Sequence, residues 1–149
     1  MAESVYRVLL IEDNDDDADL VLRGIRRFAE SVDFTRSNSI PKALDFLTTA
    51  RDSGALPNLI LVDGRIDGVD ASDFFQQLEP RGIAHLPCVV LSGSVESRTA
   101  ERLLQLGANA VRWKPVDYSQ FLDEIARILH EFHPSPLVSA REGSTEQEN

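Results

Sequence analysis

Cysteine occurs once in the 149 residues, as Cys88, so neither an internal disulfide framework nor a cysteine-based metal cluster is available. Set in Pro87-Cys-Val-Val-Leu91, that thiol reads as a small buried hydrophobe rather than a nucleophile. Histidine is nearly as scarce. His85, His130 and His133 are too scattered to build a metal or nucleophile site and read as solvated side chains. Basic residues are short as well: 15 Lys plus Arg face 25 Asp plus Glu, for a formal charge of −10. Such a molecule repels phosphate backbones and acidic lipid surfaces, so neither nucleic acid nor membrane is expected as a partner. No apolar run approaches the roughly 20 residues needed to span a bilayer. The opening Met1-Ala-Glu-Ser-Val-Tyr-Arg7 also lacks the basic segment and apolar stretch of a secretory signal, and a cytoplasmic location is expected.

What is present suits one domain. Apolar residues make up 42% and charged residues 27%, as in an ordinary soluble globule. Short apolar runs recur at residues 5–11, 32–35, 59–62, 88–91 and 110–113, and their starts advance by 27, 27, 29 and 22 residues, about one βα unit each. Between them lie stretches with helical spacing. Leu20, Val21, Gly24, Ile25 and Phe28 share a face of the first helix, and Phe121, Leu122, Ile125, Ile128, Leu129 and Phe132 one of the last. Ser39 and Pro41 open the second helix as N-cap and early proline, with Ala43, Leu44 and Leu47 inward. The third, around Phe74, Phe75 and Leu78, stops before Pro80, and the fourth, around Leu103, Leu104 and Leu106, ends at Gly107.

Continuous apolar strands such as Leu59-Ile-Leu-Val62 suit a parallel sheet covered on both faces, with right-handed crossovers placing helices on each side. The predicted fold is α/β: a doubly wound five-stranded parallel sheet of flavodoxin-like strand order 2-1-3-4-5. Residues 1–133 form that domain. Residues 134–149 are polar and without periodicity, and read as a flexible tail too short for an output domain.

In an open parallel sheet the binding crevice lies outside the carboxyl ends of the strands. The first strand ends in Glu12-Asp13, the third in Asp63, the fourth in Ser92 and the fifth in Lys114-Pro115. Three carboxylates against one ammonium leave two uncompensated negative charges, which a divalent cation would cancel. All-oxygen ligation points to a hard ion, and Mg²⁺ fits. Asp13 and Asp63 are the candidate direct ligands, the Arg65 backbone carbonyl a third, and Glu12 acts through water. A carboxylate beside such an ion can attack a phosphoryl group and become an acyl phosphate, which makes Asp63 the nucleophile. Lys114 would balance the phosphoryl oxygens while Ser92 donates a hydrogen bond to them.

These residues resemble the receiver domain of two-component response regulators over about residues 5–132. The likeness rests on Leu10-Ile-Glu-Asp-Asn14, Asn58-Leu-Ile-Leu-Val-Asp63, Val90-Leu-Ser-Gly93 and Trp113-Lys-Pro115, in the family's order and spacing. It implies a non-enzymatic switch that requires Mg²⁺. A sensor histidine kinase or a histidine phosphotransfer protein would donate phosphate to Asp63, with Ser92 shifting toward the phosphoryl group. It also implies a cis bond between Lys114 and Pro115. Ala108-Asn-Ala110 and Lys114-Pro-Val-Asp-Tyr-Ser-Gln-Phe121 look like stand-alone receivers that serve bacterial phytochrome-type kinases and pair through their last helices and strand. A homodimer through the fourth helix, fifth strand and fifth helix is expected.

Some positions depart from the family's pattern. Val111 stands where receivers commonly carry a rotating aromatic, Asp67 where proline is common and Ala71 where glycine is common. Six of the eight residues 12–19 are acidic, and Asp15, Asp16, Asp17 and Asp19 read as acids favoured by the start of a helix, without a catalytic role. Trp113 is expected to pack on the fifth strand, with one face free for an interface. Two other functions fit parts of the pattern. A small Mg²⁺-dependent phosphatase similar to the haloacid dehalogenases would use Asp13 as nucleophile and Asp15 as general acid. A phosphorylation-independent interaction module would explain Val111 and the altered loop after Asp63.

Overall fold

Alternate residues of each apolar run face opposite ways, and both faces find a cover. The computed structural model describes residues 5–29, 31–93 and 97–133. In chain order the strands are β1 (Arg7–Ile11), β2 (Asp33–Ser37), β3 (Leu59–Asp63), the short β4 (Arg65–Ile66) and β5 (Val69–Asp70), β6 (Cys88–Ser92) and β7 (Ala110–Trp113). The helices are α1 (Asp15–Phe28), α2 (Ile40–Ser53), α3 (Ser72–Gln76), α4 (Ser97–Leu106) and α5 (Tyr118–Phe132). Five strands form a parallel sheet in the order β2-β1-β3-β6-β7, the predicted 2-1-3-4-5 with β4 and β5 set aside as an antiparallel pair.

Leu9, Ile11, Ile60, Val62, Cys88 and Val90 point to one face and pack with residues of α2, α3 and α4; Val8, Leu10, Leu59, Leu61, Val89 and Leu91 point to the other, under α1 and α5. Cys88 is buried in the first of these layers, where loss of solvent pushes its thiol up to about 12 and keeps it protonated. The helix starts follow side-chain chemistry. Asn14 caps α1 by accepting from the Asp17 amide at 2.8 Å, Ser39 caps α2 from Lys42 at 3.2 Å, and Asp117 caps α5 from Gln120 at 2.9 Å. Gly107, at φ 124°, follows the last residue of α4 as predicted. The third helix is a single short turn followed by a 3₁₀ turn at Glu79–Arg81, because Pro80 is accepted at the start of such a turn but not inside a longer helix.

His133 departs from its expected solvated state. At the end of α5 it lies half-buried, its ring 4.2 Å from Tyr6 and 5.5 Å from Phe28, because the helix is long enough to carry it back over the start of β1. His85 and His130 are exposed. The tail 134–149 lies outside the described residues, and no helix among them is long and apolar enough to cross a membrane.

Close packing of α1 on α5 depends on a missing side chain. A Cβ at Gly24 would stand 2.8 Å from both Cβ and Cγ2 of Ile125, inside any real contact distance. The substitution Gly24→Ala improves helix propensity yet should destabilise the fold by about 1–3 kcal/mol through overpacking. Urea unfolding checks this, and because Ile125→Ala removes Cγ1 and Cγ2 but keeps Cβ, the double variant should lose less than the sum of the two single losses.

Candidate functional site

Register brings the polar strand ends together. Ile11 of β1 stands beside Val62 of β3, so Glu12 and Asp63 leave adjacent strands at the same level. On the other side of β3, Asp63 pairs with Leu91, and Ser92 in turn pairs with Trp113, the residue before Lys114. All the predicted side chains therefore reach one edge of the sheet. Lys114 Nζ lies 3.0 Å from Glu12 Oε1 and 3.5 Å from Asp63 Oδ1. Carboxylate oxygens of Glu12, Asp13 and Asp63 lie within 4.8 Å of one another. Gly64 keeps this edge closed: its amide donates to Leu91 O at 2.9 Å, and a Cβ there would sit 3.2 Å from Ser92 Oγ.

The chemistry of the donors fits a hard divalent cation. Oxygens within 4.8 Å of one another are near enough to hold one ion directly or through its waters, and this set contains neither histidine nor thiolate. Electrostatics favours one too. Glu12 is 2% exposed. Burial, followed by the nearby Asp63 charge, pushes its carboxyl up to about 7, against the opposing pull of Lys114 and the Asn14 amide. Burial alone would lower the Lys114 ammonium, but hydrogen bonds and charge from Asp17, Glu12 and Asp63 outweigh it and hold the lysine firmly protonated. Beyond burial, the Asp63 charge is what opposes ionisation of Glu12, and a divalent cation beside both would relieve that repulsion.

Loop geometry after Asp63 explains one departure from the family pattern. β4 and β5 pair across a two-residue turn, Asp67-Gly68, with φ of 55° and 76°. Both central residues of such a turn need φ above zero, a conformation that proline cannot adopt and that aspartate tolerates. The turn serves the site, since the Asp67 amide donates to Asp13 Oδ2 at 2.9 Å. Arg65 opens this hairpin two residues beyond Asp63, its exposed side chain donating to Gly68 O at 2.9 Å. Val111 is half-buried against the core layer beneath α4, opposite Val90, in place of an aromatic rotor. Trp113 is 55% exposed, more open than packing along the strand predicted.

Two expectations are corrected. The Lys114–Pro115 bond is trans, since no cis peptide bond occurs among the described residues. The isomers of an X-Pro bond differ by only about 0.5–1 kcal/mol, so sequence alone does not decide between them. Asp17, read as a mere helix-start acid, lies 2.9 Å from Lys114 Nζ, because one turn into α1 its side chain hangs over the pocket. Arg36 was missed entirely. From the end of β2 its Nε donates to the Glu12 backbone carbonyl at 2.9 Å and its Nη1 to Asp15 at 2.8 Å, pinning the acidic loop. An arginine at the end of an edge strand, opposite an acid run, was the available signal. Asp15 is 89% exposed and pairs with Arg36, while the carboxylates that cluster with Asp13 are Glu12 and Asp63.

Residues 8–126 match the family described as the response regulator receiver domain. The chain belongs to that family. Receivers are signalling domains that bind Mg²⁺ at an acidic pocket and accept phosphate from histidine kinases, and this chain carries such a pocket in Glu12, Asp13 and Asp63. Among curated relatives, the probable methanogenesis regulatory protein FilR2 of Methanothrix harundinacea (strain 6Ac) is 28% identical over 131 residues, 85% of this chain and 83% of that protein. The phosphorylated cyanobacterial phytochrome response regulator RcpA shares the fold with a TM-score of 0.79 at 19% identity, covering 89% of this chain and 96% of that one. The Mn(2+)-bound form of response regulator Rcp1 does so at 0.76 and 20%, covering 89% and 98%.

Asp13→Asn should weaken Mg²⁺ binding by at least about tenfold, since even outer partners of a metal are worth roughly 10- to 100-fold. Asp19→Asn, on the exposed side of α1, should leave it within about twofold. Calorimetric titration of the two variants checks both.

Proposed function

We propose that this chain is a response regulator of a two-component phosphorelay, in which Asp63 takes a phosphoryl group from the phosphohistidine of a sensor kinase or phosphotransfer protein. The observation that carries the reading is the approach of Lys114 Nζ to 3.5 Å from Asp63 Oδ1, with Asp63 clustered beside Glu12 and Asp13. An Asp63 oxygen forms the new bond to phosphorus as the bond to the donor's imidazole nitrogen breaks. Lys114 offsets charge on the phosphoryl oxygens, and Ser92 donates a hydrogen bond to one of them. Asp13, Asp63 and the Arg65 carbonyl would hold Mg²⁺ directly and Glu12 through water; when bound, the ion neutralises the pocket and the incoming phosphoryl group. Phosphorylation then biases two conformations of the strand ends rather than creating one. The chain catalyses nothing beyond its own phosphorylation and slow dephosphorylation. Because the pocket residues meet, the switch is favoured over a phosphorylation-independent module.

The partner reading is narrower. The segments 108–110 and 114–121, together with fold neighbours that include a phytochrome response regulator, favour a phytochrome-type histidine kinase in the cytoplasm as donor. A homodimer through α4, β7 and α5 is favoured by Leu104, Trp113, Val116 and Tyr118. All four are large apolar or aromatic side chains left exposed, Val116 at 99%, with the Tyr118 hydroxyl accepting from Arg23 of α1 at 3.3 Å. Arg112 stiffens the same face by pairing with Glu124 at 2.8 Å and Glu131 at 2.9 Å.

With Mg²⁺ and acetyl phosphate the protein should acquire one base-labile phosphate, absent in Asp63→Asn whose circular dichroism is unchanged. Labelling that persists in that variant would move the acceptor elsewhere. For the dimer, sedimentation with beryllofluoride should show a two-chain species that Trp113→Glu shifts at least tenfold toward monomer.

A further inference from the structure

We propose that Asp17 is a positioning residue for Lys114, holding its ammonium on the α1 side of the pocket and so limiting how readily Asp63 takes up a phosphoryl group. This rests on Asp63 being the acceptor. An ammonium has three N–H donors, and here three carboxylates compete for them. The distances rank Asp17 at 2.9 Å, Glu12 at 3.0 Å and Asp63 at 3.5 Å, so the acceptor holds the weakest share of its own counter-charge.

Asp17 is held in place by its backbone. Its amide donates to Asn14 Oδ1 at 2.8 Å, which sets the first turn of α1 so that residue 17 overhangs the pocket. To meet a phosphoryl oxygen, Lys114 must loosen one of these contacts. Glu12, 2% exposed, has little access to solvent, so bulk water could not replace the Lys114 contact it would lose. Asp17, with 36% of its side chain exposed, can be resolvated. The Asp17 contact is therefore the one that yields, and its strength opposes transfer of Lys114 to the phosphoryl group. Asp16, one residue earlier and exposed, carries the same charge and makes none of these contacts with Lys114, which separates a specific hold from general repulsion of an anion.

The test compares wild type, Asp16→Asn, Asp17→Asn, Asp17→Ala and Asp17→Glu in Mg²⁺. Two readouts apply: the rate at which acetyl phosphate transfers its phosphoryl group to Asp63 with loss of acetate, and beryllofluoride affinity followed by fluorescence of Trp113, the single tryptophan. Asp17→Asn and Asp17→Ala should label about two- to fivefold faster than Asp16→Asn and bind beryllofluoride more tightly by a similar factor, the range typical of partly exposed ion pairs. Asp17→Glu should return toward wild type. Equal rates and affinities in the Asp16 and Asp17 variants would overturn the inference alone. Failure of wild type to be labelled or to bind beryllofluoride would overturn both it and the assignment of Asp63.

Discussion

A lysine ammonium held among carboxylates at the ends of parallel strands is the interaction around which this molecule is arranged. Lys114 reaches Glu12, Asp17 and Asp63 from three different elements, and none of those acids is close to it in the chain. Like charges at such distances repel strongly where water is scarce, so the cluster persists only because the ammonium is there and a cation can join it. Burial, and after it the Asp63 charge, hold the Glu12 carboxyl above its ordinary range.

The sheet makes the cluster possible by its topology. Parallel strands present their carboxyl ends on one edge, and the reversal of order at β1 and β3 opens the crevice there. The layers above and below the sheet secure the edge from a distance: Gly24 lets α1 sit against α5, and Gly64 lets the end of β3 close on β6. The Asp67-Gly68 hairpin then lays a backbone amide on Asp13. Each of these contacts confines a charged side chain to a position it would not hold by itself, as a preorganised site requires.

Reading the chain from its residues recovered five strands in a parallel sheet covered on both faces, since continuous apolar runs at βα spacing leave few arrangements. It also set Glu12, Asp13, Asp63, Ser92 and Lys114 at the strand ends, because each lies where an apolar run stops. Asp17 and Arg36 escaped it for a common reason. Both act across space, one from a helix turn and one from an edge strand, and neither sits at a position that strand periodicity singles out. His133 was misread because the length of the last helix, not its local sequence, carries that ring onto Tyr6.

By itself the sequence determined the class of fold, the identity of the polar strand ends and the net excess of acid around them, because periodicity and charge are local properties of the chain. Only the tertiary structure decided how the lysine divides its three donors among the acids, which isomer the Lys114–Pro115 bond takes and how the loop after Asp63 turns. Those choices are separated by about a kilocalorie or less in the isolated chain, and packing of distant segments selects among them.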